Sequence, residues 1–154
     1  MEQKTKITAE EGKQELTITR EFDLPLELLF KAYHEPQLVE QWMGTKVLKL
    51  ENKKHGSYAF ETSYQGNVVF RANGTIHEFI PNQTIIRTFE MENAGIGVQL
   101  EFLEFTKLTE NKSQLIMQII YRSVEHRSMQ LKMPFQYGLN MAHDRLQGIL
   151  SDLK

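Results

Sequence analysis

The stretch FQYGLNMAHDRLQGILSDL, residues 135–153, decides the fold. At 100° per residue, Phe135, Gly138, Leu139, Ala142, Leu146, Ile149, Leu150 and Leu153 fall within about 60° of one direction, and Gln136, Asn140, Asp144 and Gln147 take the other side. This predicts a helix of about twenty residues with a single apolar stripe, which must be buried against something. Immediately upstream the period is different. From Lys46 to Tyr121 the chain reads as strands and turns: 47–50, then 58–64 with Tyr58, Phe60, Thr62 and Tyr64 on one parity, then 68–79, 85–91, 98–108 and 114–121. The turns fall at His55-Gly56, Gln65-Gly66-Asn67, Pro81-Asn82-Gln83, Asn93–Gly97 and Glu110-Asn111. Gly74, inside a strand, suggests a bulge or a bend. One long stripe and an antiparallel meander must cover each other, so the fold class is α+β.

Further outward, Leu16, Ile18 and Phe22 alternate with polar residues as in a half-buried strand beginning at Glu15. Pro25 suits the first turn of a helix, where its missing N–H is no loss. Leu26, Leu29, Phe30 and Tyr33 follow at helical spacing. Pro36 ends that helix and opens a second, which stops at Gly44. Residues 1–14 read as a polar extension that adds at most an edge strand, and residues 15–154 as one domain. Six or seven strands is the economical count.

Composition narrows the function. A chain of 154 residues fits one domain of roughly 100–200 residues and buries roughly 70% of its unfolded surface, enough to stand without staples. With no cysteine, disulfides, thiolate metal sites and a cysteine nucleophile are excluded. Eighteen basic against twenty acidic residues, with no charged block, gives no push toward nucleic acid. The small basic patch of Lys46, Lys49, Lys53 and Lys54 has no interleaved aromatics. No apolar run reaches the ~18 residues of a membrane span, and the start is too polar for a signal peptide, so the expected location is cytoplasmic. His34, His55, His77, His126 and His143 are scattered without metal-ligand spacing, no nucleophile elbow or phosphate loop occurs, and neither metal nor cofactor is expected.

Several words of the sequence carry a resemblance: Ile18–Pro25; Leu28–Tyr33 followed by Glu35-Pro36 and Gln41-Trp42-Met43-Gly44; His55–Phe60; and Gly74–Pro81. Their order and spacing over residues 15–153 resemble the START-like (SRPBCC) superfamily. Within it they resemble the branch related to the activator of the ninety-kilodalton heat-shock protein ATPase. The resemblance implies a helix-grip fold, a curved sheet wrapped around the long C-terminal helix. Met43, Thr45 and His55 depart from the family pattern near one end of the cavity it implies, so ligand preference does not transfer.

The expected inner faces carry Trp42, Tyr58, Phe60, Tyr64, Phe70, Phe89, Met91, Phe102, Met117 and Tyr121, joined by Phe135, Leu139 and Ala142 from the long helix. They either pack solid or line a ligand cavity. Gly138 and Ala142 narrow the helix stripe, and flexible Met91 and Met117 suit an adaptable wall. Gly95–Gly97 would form a mouth, and Tyr58 or Tyr64 would supply polar specificity. Glu61 and Glu101 are expected outward. Glu104, on the parity of Leu100 and Phe102, is the expected inward carboxylate. Arg20 and Arg87 interrupt apolar strands and are expected outward, the alternative being a guanidinium offered to an acidic ligand. His143 is expected at the helix flank, hydrogen-bonded to a neighbour.

The first expectation for function is therefore a binding domain for a small apolar or amphipathic, lipid- or polyketide-like molecule, with no catalytic residues. The second is an interaction module acting on a chaperone or other protein partner. The third is a cyclase or hydrolase built on an inward carboxylate such as Glu104. A homodimer through an unpaired sheet edge is compatible with each.

Overall fold

A computed structural model describes residues 4–154. Twelve elements follow one another: β1 (Lys6–Thr8), β2 (Glu15–Phe22), α1 (Leu26–His34), α2 (Pro36–Met43), β3 (Lys46–Leu50), β4 (Ser57–Tyr64), β5 (Asn67–Ile80), β6 (Thr84–Met91), β7 (Val98–Thr109), β8 (Lys112–Ile120), α3 (Val124–Lys132) and α4 (Phe135–Ser151). The eight strands form one antiparallel sheet in the order β1-β2-β8-β7-β6-β5-β4-β3. Seven strands follow the periodicity of the sequence. The eighth is β1, an edge strand that pairs Lys6 with Thr19 and Thr8 with Thr17. Residues 1–3 of the N-terminal extension lie outside the described residues.

The helix pair exists because proline opens both members. Pro25 precedes α1 and its carbonyl accepts from Leu28 and Leu29, while Pro36 occupies the first turn of α2. Gly44, at φ 66°, ends α2 in the left-handed conformation that glycine adopts without strain. Because β2 lies near one edge of the sheet and β3 forms the other, α1 and α2 carry the chain across the sheet's width. They pack Leu29, Phe30, Tyr33 and Trp42 against Leu103, Phe105 and Leu115 of β7 and β8. Helix α4 completes this cluster with Leu146 and Leu150. Two smaller clusters flank it, one around Leu16, Ile18, Ile96, Ile119 and Tyr121, the other around Val39, Tyr58, Phe60 and Ile76.

Three local features depart from the sequence reading. Helix α3 has almost no apolar face, so periodicity does not show it; Ser123, whose hydroxyl accepts from the His126 N–H, is its N-cap and the one local signal. Helix α4 ends at Ser151, and Leu153 beyond it is exposed. Gly74 stays in register, paired with Tyr58, and the irregularity of β5 against β6 falls later, between Ile76 and Glu78. What Gly74 provides is room. A Cβ there would stand 2.6 Å from the Tyr58 ring and 2.0 Å from the Thr88 carbonyl oxygen.

Candidate functional site

The inner face of the sheet is set by parity. On β2 it carries Leu16, Ile18, Arg20 and Phe22; on β6, Ile85, Arg87, Phe89 and Met91; on β7, Gln99, Glu101, Leu103 and Phe105; on β8, Ser113, Leu115, Met117 and Ile119. This corrects four expectations. Arg20 and Arg87 point inward, Glu101 is only 3% exposed, and Glu104 stands on the outer face, accepting from the Thr84 hydroxyl. The run Leu100–Phe105 has apolar side chains on both parities, so alternation alone cannot orient it. Leu103 and Phe105 win because they meet α1, and Phe102 is turned outward beside Ile86. Tyr64 is also corrected: a register shift at Thr62/Ser63 leaves it 67% exposed near the hairpin tip.

Arg87 and Glu101 face one another across β6 and β7. Arg87 Nε donates to Glu101 Oε1 at 2.9 Å, and Gln99 Nε2 donates to Glu101 Oε2 at 2.8 Å. The guanidinium lies 5.2 Å from the centroid of the Tyr58 ring, in cation–π range. Three phenols surround this node, one from each apolar cluster: Tyr33, Tyr121 and Tyr58. Burial raises all three above the ordinary phenol range and the Glu101 carboxylate adds to the rise, so they remain neutral donors. Burial opposes the charge on Arg87, while the Glu101 carboxylate that accepts its Nε–H favours it, and the guanidinium stays protonated. Tyr58 donates to the Thr88 carbonyl, the contact for which Gly74 leaves room, and Tyr121 donates to Gln130 Oε1 at 3.5 Å.

The node is deep but not sealed. Arg87 is 9% exposed, and among the described residues the one hydrogen bond of its side chain is the Nε contact to Glu101, which leaves Nη1 and Nη2 without acceptors. Among those residues the only unpaired side-chain nitrogen or oxygen shut off completely from solvent-sized space is Arg127 Nε. The terminal nitrogens of Arg87 therefore border open space. Phe89 and Met91 follow Arg87 on the inner parity of β6 and are half-buried, as are Met117 of β8 and Phe135, Leu139 and Ala142 of α4, which pack against the two larger clusters. The closest backbone approaches of α4 are to α2, α1 and α3, so it bridges the other helices above the sheet.

Of the other anticipated wall residues, Trp42 is buried with its indole N–H donating to the Ala32 carbonyl at 2.7 Å, and Phe60 is buried beside Tyr58. Phe70 is half-buried on the inner parity, opposite Thr62, outside the three clusters. Gly138 faces solvent and does not narrow the inner stripe of α4. The Gly95–Gly97 loop inserts Ile96 beside Tyr121 and Ile119, closing over that end of the sheet. A separate surface cleft of about 370 Å³ lies between β1 and the α3–α4 elbow, lined by Ile7, Ala9, Leu131, Met133 and Phe135.

A second buried polar group ties α4 to the sheet edge. Arg20 donates to Asp144 Oδ1 at 2.9 Å and to Asn140 Oδ1 at 3.1 Å, while the Thr5 hydroxyl and His143 Nδ1 are 2.7 Å apart. His143 is 1% exposed, deeper than the helix flank expected for it. Burial, reinforced by the Arg20 charge and opposed by Asp144, pushes its pKa down to about 3, so the imidazole is neutral. Among the described residues no group of three metal-ligating side chains comes together. Among the same residues no helix is long and apolar enough to cross a membrane.

An open, curved antiparallel sheet flanked by a long C-terminal helix, with a helix pair inserted after its first long strand, defines a protein of the helix-grip class. The model of the activator of Hsp90 ATPase homolog 1-like proteins matches residues 23–151, and the chain belongs to that family, within the START-like superfamily. No curated protein matches the chain. Among solved structures it is similar to a protein of Rhodobacter sphaeroides, at 20% identity and TM-score 0.83 over 96% of this chain and 99% of that one. Protein Ms6760 of Mycobacterium smegmatis is similar at 19% identity and TM-score 0.83, over 95% and 96% of the two chains. A protein of Arthrobacter aurescens is similar at 15% identity and TM-score 0.84, over 96% and 91%. At these identities the likeness is one of fold.

Proposed function

We propose that this protein is a binding domain for a small amphipathic molecule held between the inner face of β6–β8 and α4. The observation that carries the reading is the Arg87 guanidinium, deep in the fold yet with two terminal nitrogens that are neither paired nor sealed. Leaving the terminal nitrogens of an interior guanidinium without acceptors is costly, and a bound molecule that supplies an acceptor reduces the cost. In this reading the half-buried inner-face Phe89, Met91 and Met117, with Leu139 and Ala142 of α4, form the apolar wall. We read the domain as binding rather than catalytic, because both oxygens of the inward carboxylate Glu101 are engaged by Arg87 and Gln99. The test is native mass spectrometry of freshly purified protein, then thermal shift against fatty acids, aromatic polyketides and isoprenoids. A ligand at one hundred times its Kd adds about 2.7 kcal/mol, which raises Tm by roughly 5–10 °C for a chain of this size. A clean apo mass and no shift across the panel would remove this reading.

A second reading, an interaction module acting on a chaperone or another protein, is favoured by the exposed Met129, Leu131, Met133 and Tyr137 around the α3–α4 elbow. Its test is the ATPase rate of the ninety-kilodalton heat-shock protein with and without this chain. An unchanged rate, with no complex on gel filtration, counts against it.

A further inference from the structure

The free edge of Arg87 says what kind of molecule the interior selects, an inference that rests on the binding reading above. A guanidinium with five N–H donors and no acceptor is satisfied by oxygen. Here one donor is spent on Glu101, whose other oxygen accepts from Gln99. Each carboxylate oxygen thus already has a donor, whereas Nη1 and Nη2 of Arg87 have no acceptor. The node is also electrically balanced, one buried cation against one buried anion at 2.9 Å. A ligand carboxylate on the same guanidinium would set a second negative charge beside Glu101 and leave the Arg87–Glu101 pair with net negative charge, which low-dielectric surroundings penalise. A carbonyl oxygen accepts from Nη1 and Nη2 and leaves the balance intact. The half-buried Phe89 and Met91, on the same parity of β6, and Met117 and Leu139, which share one cluster, are the apolar surface left to take an apolar body. The ring of Tyr58 on the guanidinium and the Nε contact to Glu101 hold the fork in place from two sides.

We infer that Arg87, held by Glu101, is a recognition residue for the carbonyl oxygen of an uncharged, largely apolar ligand, and that the site discriminates against the corresponding carboxylic acid. Three probes of nearly equal size separate these chemistries: butyrophenone, butylbenzene and 4-phenylbutyrate, titrated at pH 7.5 with binding followed by protein amide chemical shifts. Butyrophenone is expected to bind about tenfold or more tighter than either of the others, the effect of one hydrogen bond from a charged donor. In Arg87→Lys, which keeps the charge facing Glu101 but removes the fork, butyrophenone should fall to the level of butylbenzene while butylbenzene is unchanged. Should that variant fail to fold, Arg87→Met combined with Glu101→Met removes the charges together and makes the same prediction. Equal binding of butyrophenone and butylbenzene in the native protein, or tighter binding of 4-phenylbutyrate, overturns the assignment and leaves the cavity standing. Failure of all three probes to bind overturns the cavity reading itself, and the assignment with it.

Discussion

Arg87 and Glu101 are worth more to each other than to the fold. Each has been taken out of water, and their attraction across β6 and β7 offsets that cost without a large surplus. Removing one partner strands the other, so Glu101→Leu or Arg87→Leu should each lose about 3–5 kcal/mol in urea unfolding, while the double apolar replacement should recover much of it. A double variant as unstable as the worse single one would mean that the pair is a genuine stabiliser. His143 gives a second prediction at this scale, one of pH. Its pKa of about 3 in the folded protein lies below the ordinary 6.5, so between those values the unfolded chain binds the extra proton. Its contribution is fully present above pH 6.5 and is lost as the pH falls toward 3, at up to about 1.4 kcal/mol per pH unit. His143→Gln, whose amide can still meet Thr5, should flatten the acid limb of stability relative to the native protein between pH 6.5 and 5. Parallel curves would exclude the imidazole as the source. Neither Arg87 nor His143 is orientated by its own neighbours in sequence; the first reads as an outward break in an apolar strand, the second as a flank residue.

At the scale of the element, β5 and α3 show two ways in which a segment depends on one residue. In β5 the absence of a side chain at Gly74 lets the Tyr58 ring lie over the strand and reach the Thr88 carbonyl. Gly74→Ala places a methyl against backbone that cannot yield, and should cost more than the roughly 1–3 kcal/mol of ordinary overpacking. It should also loosen the Arg87 node; weaker ligand binding at unchanged secondary structure would be the sign, and full retention of stability would show that β5 shifts instead. In α3 the Ser123 cap matters because little else holds the helix: its buried residues are Arg127 and Gln130. Ser123→Ala should cost about 1 kcal/mol, with amide exchange faster in 124–132 than elsewhere. The helix pair was legible from its prolines and Gly44, because those residues act locally. Helix α3 was not, since its two inward residues are polar and their partners, the carbonyls of Glu10 and Glu15 for Arg127, lie far off in sequence.

For the whole molecule, the sheet and the helices form one interlocked body, because α1 and α2 carry the chain from one side of the sheet to the other before the meander begins. Its single tryptophan, Trp42, sits in the cluster that joins α1, α2, α4 and the sheet. Trp42 fluorescence and far-ultraviolet circular dichroism should therefore report one coincident unfolding transition. Separate midpoints would show that the helices leave the sheet before it melts. What the sequence determined by itself was the periodic part: the α+β class, seven of the eight strands, the helix pair, the long C-terminal helix and the family resemblance. These follow from local rules of spacing, proline and glycine. Tertiary structure alone decided which parity of β7 faces inward and which charged residues are buried. A strand such as β7 is apolar on both faces, and the choice between them is made by what stands opposite. Leu103 and Phe105 meet α1, Glu101 meets Arg87, and a buried charge is tolerable only where another element brings its partner within hydrogen-bond distance.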